Sequence, residues 1–268
     1  MRVHRLLCLL TLCLFRIGWG VCCTHAMSHG TDDDYVYRLP QPDPEVPRAG
    51  LDRPLPPVPE VRLAQAHNVV RIFGIDVSHY QGKINWQMAA LDENVRFAYI
   101  KATEGSGLVD NYYRRNVRGA RNYGIPVGSY HFFSPSASAM TQLRNFMDVV
   151  RPGEQDLIPI VDVERRGKGS LRDFQAKLQN FLTGIERIYG VKPIIYTGVN
   201  FFNKYLAGKF SKYDFMIARY GDDVPELMED VRIVLWQFTQ HGSVSGIGGH
   251  VDRSCFLDKC GLQDIMLP

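Results

Sequence analysis

Short apolar runs alternate with longer amphipathic segments along residues 71–256, and this alternation constrains the fold more than any other feature. The runs have the length of strands, whereas the segments between them carry apolar residues at helical spacing. Such alternation predicts a parallel sheet, and eight strands in about 200 residues predict a closed, somewhat reduced (β/α) barrel, which is an α/β fold. An open doubly wound sheet is the alternative, although no Gly-x-Gly-x-x-Gly motif follows the first strand. The predicted strands are 71–76, 97–101, 127–133, 157–163, 193–196, 215–218, 233–238 and a short one at Val251; the predicted helices begin near Trp86, cover 110–123, 136–150 and 170–189, and include a short one near Phe201.

The first 68 residues differ in composition from the rest of the chain. Residues 1–30 contain basic but no acidic residues, and a mostly apolar run extends from Leu6 to Phe15. This run is too short to span a bilayer comfortably and is typical of a signal peptide, with an uncleaved membrane anchor as the alternative. Residues 31–68 hold eight of the fifteen prolines and are predicted to be a proline-rich linker. We therefore expect a folded domain at 69–268 in a protein that is secreted or lies in the cell envelope (periplasm), with membrane attachment through residues 1–30 as a further expectation.

Charge and cysteine usage narrow the choice of partners. The formal net charge of +3 is carried by Arg2, Arg5 and Arg16, so the other 28 basic residues balance the 28 acidic ones. A nucleic-acid-binding domain would show a basic surplus, so we expect no nucleic-acid partner. Outside the N-terminal segment the only cysteines are Cys255 and Cys260, which form either a small disulfide loop or two free thiols. No Cys-x-x-Cys pair or His spacing typical of a zinc site occurs, so we expect no metal. We also expect no cofactor and a monomer.

Two carboxylates follow the fourth predicted strand. Asp162 and Glu164 are two residues apart, so they share one face of the strand. Neighbouring carboxylates resist simultaneous ionisation, and one pKa is therefore raised. Enzymes that break glycosidic bonds use a protonated carboxyl beside an ionised one. A solvated strand end is the alternative interpretation of the same residues.

Other polar and aromatic residues stand at the carboxyl ends of the predicted strands, where barrel enzymes place their active sites. No competing nucleophile or metal cluster is evident in the sequence. For several members a structural role is the alternative: an ion pair for Lys101 and Glu104, core packing for the tyrosines and Trp236, and a turn for Asp252. His131 is interpreted as an interior histidine. The candidates are Asp76, Lys101, Glu104, Tyr130, His131, Asp162, Glu164, Tyr196, Arg219, Tyr220, Trp236, Gln237 and Asp252.

A series of ordered motifs resembles those of family 25 glycoside hydrolases, which are lysozymes. The resemblance covers about residues 72–256, and therefore neither the N-terminal segment nor the linker. Two positions depart from the family pattern: Ser254 stands where another polar residue such as Asn is usual, and Met216 where Trp or Leu is common. The motifs are Gly74–Gly82 with Trp86, Phe97–Gly105, Gly128–Phe132, Pro159–Glu164, Ile195–Gly198, Leu235–Phe238 and Val251–Asp252.

The resemblance implies a flattened (βα)5β3 barrel at 69–268 that cleaves the β-1,4 bond between N-acetylmuramic acid and N-acetylglucosamine in peptidoglycan. It implies Glu164 as the acid, assisted by Asp76, Asp162 and Asp252. We expect Glu164 to protonate the leaving oxygen, Asp162 to remain ionised and stabilise positive charge at the sugar, and Asp76 to be the other candidate base. A barrel that binds wall glycan without cutting it, and a chitin-type hydrolase, are the alternatives. The residues expected to contact peptidoglycan glycan strands are Tyr130, Tyr196, Tyr220, Trp236, Gln237, Lys101 and Glu104.

Overall fold

The computed structural model describes residues 71–257 and 259–268. All of them belong to one compact unit. The predicted signal segment at 1–30 and the predicted linker at 31–68 lie outside the described residues. Within the described part of the chain, no helix is both long and apolar enough to cross a membrane.

Eight strands close into a barrel, and a ninth extends one of them as a hairpin. The first strand pairs with the second on one side and with the last on the other, which closes the sheet. All barrel neighbours are parallel except the last strand, which is antiparallel to both of its neighbours. The strands are β1 Phe73–Val77, β2 Ala98–Glu104, β3 Leu108–Val109, β4 Val127–Phe132, β5 Ile160–Asp162, β6 Ile194–Gly198, β7 Phe215–Ala218, β8 Ile233–Gly242 and β9 Val251–Phe256.

The predicted α/β barrel is therefore confirmed, whereas the short strand β3 was not predicted. It pairs antiparallel with β2, with Glu104 opposite Leu108. Two residues are too few to produce a detectable alternation of apolar and polar side chains, so the hairpin leaves no periodic signal in the sequence.

Helices follow the earlier strands, and none separates the last three. Serine side chains begin the two longest helices: Ser138 accepts a hydrogen bond from the Thr141 N–H, and Ser170 accepts one from the Asp173 N–H. Gly190, in the left-handed region with φ 72°, ends the longest helix. The helices are α1 Trp86–Leu91, α2 Tyr113–Asn122, α3 Ala139–Val149, α4 Leu171–Tyr189 and α5 Val199–Phe201, which continues into a π-helical turn, Phe202–Leu206.

Strand alternation divides the core into two layers. One face of each strand packs on the helices, and Val161 and Ile195 belong to the same buried cluster as Phe181 of α4. The other face fills the barrel interior, where Tyr99 and Ile160 belong to a second apolar cluster. His131 points to the helix side, fully buried, with Thr103 and Gln142 on its two ring nitrogens. The interior apolar layer ends before the carboxyl ends of the strands, where mostly polar residues line the barrel.

Cys255 and Cys260 are free thiols, so the disulfide alternative does not hold in this structure. Ser254 in β9 faces the barrel interior, where its hydroxyl binds Asp76. Cys255 is the next residue and therefore points to the opposite face of the strand. Cys260 packs instead against the interior apolar cluster. The two side chains thus belong to different layers.

Candidate active site

A cavity opens at the carboxyl ends of the strands, and all eight barrel strands contribute to it. Side chains alternate along a strand, so the lining residues are those that follow the interior apolar layer on the same face. Seven of the eleven residues in the predicted site line it, including all four predicted catalytic carboxyls. The lining residues are Asp76, Tyr99, Tyr130, Ile160, Asp162, Glu164, Tyr196, Met216, Gln237 and Asp252.

Asp76, in β1, is held by two neutral donors. Its Oδ2 accepts a hydrogen bond of 3.2 Å from the Gln237 Nε2 and one of 3.0 Å from the Ser254 hydroxyl. Burial, and then the charge of Asp252, raises the pKa of Asp76 to about 7, whereas the two hydrogen bonds lower it. Asp76 is therefore divided between its acid and base forms near neutral pH.

Gln237, in β8, binds Asp76 and two tyrosine hydroxyls through its side-chain amide. Its Oε1 accepts hydrogen bonds from the hydroxyls of Tyr196, at 3.0 Å, and Tyr220, at 3.2 Å. Because its Oε1 takes both tyrosine hydroxyls and its Nε2 binds Asp76, the buried amide has one defined orientation. Gln237 thus links β6 and β8 to the carboxyl on β1.

Asp162 and Glu164 form the second pair of carboxyls. Burial raises the pKa of Asp162 well above its usual range, the charge of Glu164 adds to the rise, and Lys101 opposes it. The Asp162 Oδ1 is buried and has no hydrogen-bond partner among the described residues. A carboxylate in that position would lack compensation for its lost hydration, so the protonated form is favoured.

Glu164 lies at the mouth of the cavity, where its side chain is exposed. Protein packed around its carboxyl still raises its pKa, whereas Tyr196, Arg165 and Lys101 lower it. The two carboxyls interact and titrate as a pair. Burial outweighs the nearby positive charge of Lys101 at Asp162. That Asp162 remains ionised and stabilises positive charge at the sugar stays a prediction.

Asp252 completes the set from β9. Burial, and then the charge of Glu164, raises its pKa to about 6. It stands opposite Asp76 in the β1–β9 register. The antiparallel return of β9 therefore places the fourth carboxyl beside the first.

Four predicted glycan-contacting residues lie outside the lining of the cavity. Lys101 and Glu104 pair with each other, with 2.7 Å between Nζ and Oε2. Tyr220 is exposed beside the cavity and reaches Gln237 through its hydroxyl. Trp236 is only 2% exposed, and its indole N–H donates to the Arg219 carbonyl. Consecutive residues of a strand point to opposite faces, so with Gln237 in the cavity Trp236 faces outward and its position favours packing over glycan stacking.

Three lining residues and one supporting residue were missed by the sequence interpretation. Tyr99, Ile160 and Met216 line the cavity, and Ser254 binds Asp76. Counting in steps of two along the strands identifies two of them, since Ile160 precedes Asp162 and Ser254 follows Asp252 on the same face. Met216, which departs from the family pattern, lies in the site itself.

The protein-family model for glycosyl hydrolases family 25 matches residues 75–247. This chain belongs to that family. It is 41% identical over 189 residues to YegX of Escherichia coli K12, covering 69% of each protein. It is 29% identical over 212 residues to Lysozyme M1 of Streptomyces globisporus, covering 74% of this chain and 72% of that protein. The solved family 25 glycosyl hydrolase from Bacillus anthracis matches with a TM-score of 0.65 at 30% identity, over 70% of this chain and 89% of that one.

The site has the groups that a family 25 glycosyl hydrolase needs. Glycoside hydrolysis requires a proton donor at the leaving oxygen and an ionised carboxylate near the developing positive charge. Carboxyls with raised pKa values supply both forms near neutral pH. Among residues 71–257 and 259–268, no group of three or more His, Cys, Asp or Glu side chains is arranged to hold a metal ion. The chemistry that the described side chains support is acid–base hydrolysis.

Proposed function

We propose that this family 25 glycosyl hydrolase is a lysozyme that cleaves the β-1,4 bond between N-acetylmuramic acid and N-acetylglucosamine in peptidoglycan. The observation that carries the proposal is the Asp162–Glu164 pair, with its raised pKa values, in a cavity that also holds Asp76 and Asp252. A relative that aligns with 74% of this chain at 29% identity is named Lysozyme M1, which agrees with this substrate. A non-catalytic glycan-binding barrel is disfavoured, because all four carboxyls are present and converge.

In the proposed mechanism, the Asp162–Glu164 pair holds one proton. In the reactive form the proton is on Glu164, the exposed member, which delivers it to the glycosidic oxygen as the bond from the sugar carbon to that oxygen breaks. Both carboxyls of the pair are then ionised, and the buried Asp162 carboxylate stabilises the positive charge on the sugar. Water adds to the sugar carbon and gives up its proton to a carboxylate, for which Asp76 is the candidate base.

The aromatic side chains of the cavity suit a sugar polymer. Tyr130 and Tyr196 line the cavity, and Tyr220 lies exposed beside it. Aromatic faces pack on the apolar faces of sugar rings, and the hydroxyls of Tyr196 and Tyr220 are held by Gln237. We also propose that the enzyme acts in the cell envelope or outside the cell, where peptidoglycan is found. Cleavage of the N-terminal segment, membrane attachment and the monomeric state stay predictions.

Replacing Glu164 by glutamine tests the proposal. Glu164→Gln keeps size and polarity but removes the transferable proton, so turnover of purified peptidoglycan should fall by roughly 10²- to 10⁴-fold while binding to it survives. Glu93→Gln is the matched control, because Glu93 is exposed and lies away from the cavity. Release of new reducing ends is the measurement, and the sugar at the new end identifies the bond cut. Near wild-type turnover by Glu164→Gln would show that the acid is misassigned.

A further inference from the structure

The segment directly after Glu164 is strongly basic. Arg165, Arg166 and Lys168 follow it, and no acidic residue occurs before Asp173. The chain beyond residue 30 carries no net charge, so this concentration of positive charge is local. It lies at the carboxyl end of β5, the edge of the barrel at which the cavity opens.

A fourth cation joins this segment from the next connection. Lys204 lies in the π-helical turn after β6. Its Nζ is 5.2 Å from the centroid of the Tyr205 ring, and the Arg166 guanidinium carbon is 6.0 Å from the same centroid. Both cations therefore gather around one aromatic ring. We call Arg165, Arg166, Lys168 and Lys204 the basic rim.

The loop that carries the basic rim is held against the barrel. Arg165 lies 4.9 Å over the Phe132 ring. Gly167, in the left-handed region with φ 72°, packs so closely on Pro135 that an added Cβ would lie 2.9 Å from the proline Cγ. Lys177 donates to the Pro135 carbonyl at 2.9 Å and so secures the same contact from α4. The positive groups are thus presented by a packed loop at a defined place beside Glu164.

Acidic partners neutralise little of this charge. Glu104 lies 4.0 Å from Arg165, but it is already paired with Lys101 at 2.7 Å. Among the described residues, no carboxylate is within ion-pair distance of Arg166, Lys168 or Lys204; Arg166 donates to the Gly169 carbonyl. The Arg165 side chain remains 70% exposed. The basic rim therefore faces the solvent beside the cavity with a surplus of positive charge.

We propose that the basic rim binds the carboxylates of the peptide stems of peptidoglycan. This inference rests on the proposed function. A stem is attached to the lactyl group of N-acetylmuramic acid, the sugar at the bond that is cut, so it must leave the cavity close to Glu164. Arginine and lysine beside that exit match carboxylates in charge and in hydrogen-bonding capacity.

Two forms of one substrate test the charge recognition. Both are prepared from peptidoglycan freed of phosphate polymers with hydrofluoric acid, and in one the stem carboxylates are converted to neutral amides. We expect the wild type to show a kcat/KM roughly two- to tenfold higher on the carboxylate form at low ionic strength, expressed mainly in KM. The preference should disappear near 1 M salt, where the Debye length is about 3 Å.

The variant Lys168→Gln/Lys204→Gln removes two charges of the basic rim without touching the catalytic carboxyls. We expect it to lose most of the preference for the carboxylate form. Arg114→Gln/Arg118→Gln is the control, because it removes the same charge from exposed positions of α2, and no carboxylate pairs with either arginine among the described residues. This control should keep the preference.

Three results would overturn the inference: equal kcat/KM of the wild type on both substrates, an unchanged preference in the rim variant, or an equal loss in the control.

Binding separates this inference from the proposed function. Glu164→Gln protein should sediment preferentially with the carboxylate form. If the wild type cuts neither substrate but that binding preference persists, the proposed lysozyme activity fails and the basic rim stands as a wall-binding surface. If sedimentation also shows no preference, the basic rim has no such role.

Discussion

Removing the Ser254 hydroxyl should change the protonation of Asp76. Ser254 and Gln237 are the two donors to the Asp76 Oδ2, at 3.0 Å and 3.2 Å. Ser254 is fully buried, so bulk water cannot freely replace its hydroxyl in Ser254→Ala. A hydrogen bond to a charged group contributes about 1.5–3 kcal/mol, and about 1.4 kcal/mol corresponds to one pH unit. With Gln237 retained and some relaxation, we expect the pKa of Asp76 to change by about one pH unit.

The direction follows from which form the hydroxyl stabilises. The Ser254 hydroxyl donates to the Asp76 carboxylate and so lowers the pKa of Asp76. Burial and the charge of Asp252 act in the other direction, and the resulting pKa is about 7. Loss of the hydroxyl therefore raises the pKa further. If Asp76 must be ionised to act as the base, the acid limb of the kcat/KM profile moves to higher pH by the same amount, and activity falls most below neutral pH.

Two measurements check this prediction. One is the pH profile of kcat/KM on purified peptidoglycan for the wild type, Ser254→Ala and Ser254→Thr, which keeps the hydroxyl. The other is the titration of the Asp76 carboxyl carbon by NMR, which is independent of turnover. The titration must be assigned residue by residue, because other ionisable groups face Asp76. They are Asp252 from β9, Tyr99 from β2, Tyr130 from β4 and Asp162 from β5.

An unchanged Asp76 titration in a well-folded Ser254→Ala protein would refute the reasoning. A loss of kcat at every pH, with the titration unchanged, would indicate that Ser254 supports the shape of the site instead. A shift that Ser254→Thr reproduces would show that the change does not depend on the hydroxyl.

Two other predictions concern the acid pair and the N-terminal residues. Asp162→Asn should lower maximal turnover and move the alkaline limb of the pH profile to lower pH. Without the neighbouring charge of Asp162, Glu164 loses its proton more easily. An unmoved limb in a folded variant would mean that the two carboxyls do not interact. Deleting residues 1–68 should leave a soluble, active domain, because β1 begins at Phe73; peptidoglycan turnover and a cooperative thermal transition are the measurements, and an inactive or insoluble product would contradict the prediction.

Much of the site could be predicted from the sequence because its signals are local. Asp162 and Glu164 were recognised from a strand followed by alternating carboxyls, and both line the cavity. The helix predicted at 170–189 is α4, Leu171–Tyr189, which Ser170 and Gly190 cap. The orientation of β8 was harder, since Trp236 and Gln237 are adjacent and both looked suited to the site. Only the pairing of the strand with its neighbours decides which of the two faces the cavity.

The sequence by itself determined the strand–helix order, the family and the identity of the four carboxyls, because periodicity and motifs are properties of neighbouring residues. The tertiary structure decided how those carboxyls share protons. Closure of the barrel brings Ser254 to Asp76 across 178 residues and sets Asp252 beside it. It also buries Asp162 more deeply than Glu164, and this burial raises the pKa of Asp162 well above its usual range. Burial and long-range contacts set these pKa values, and neither is encoded in the spacing of residues along the chain.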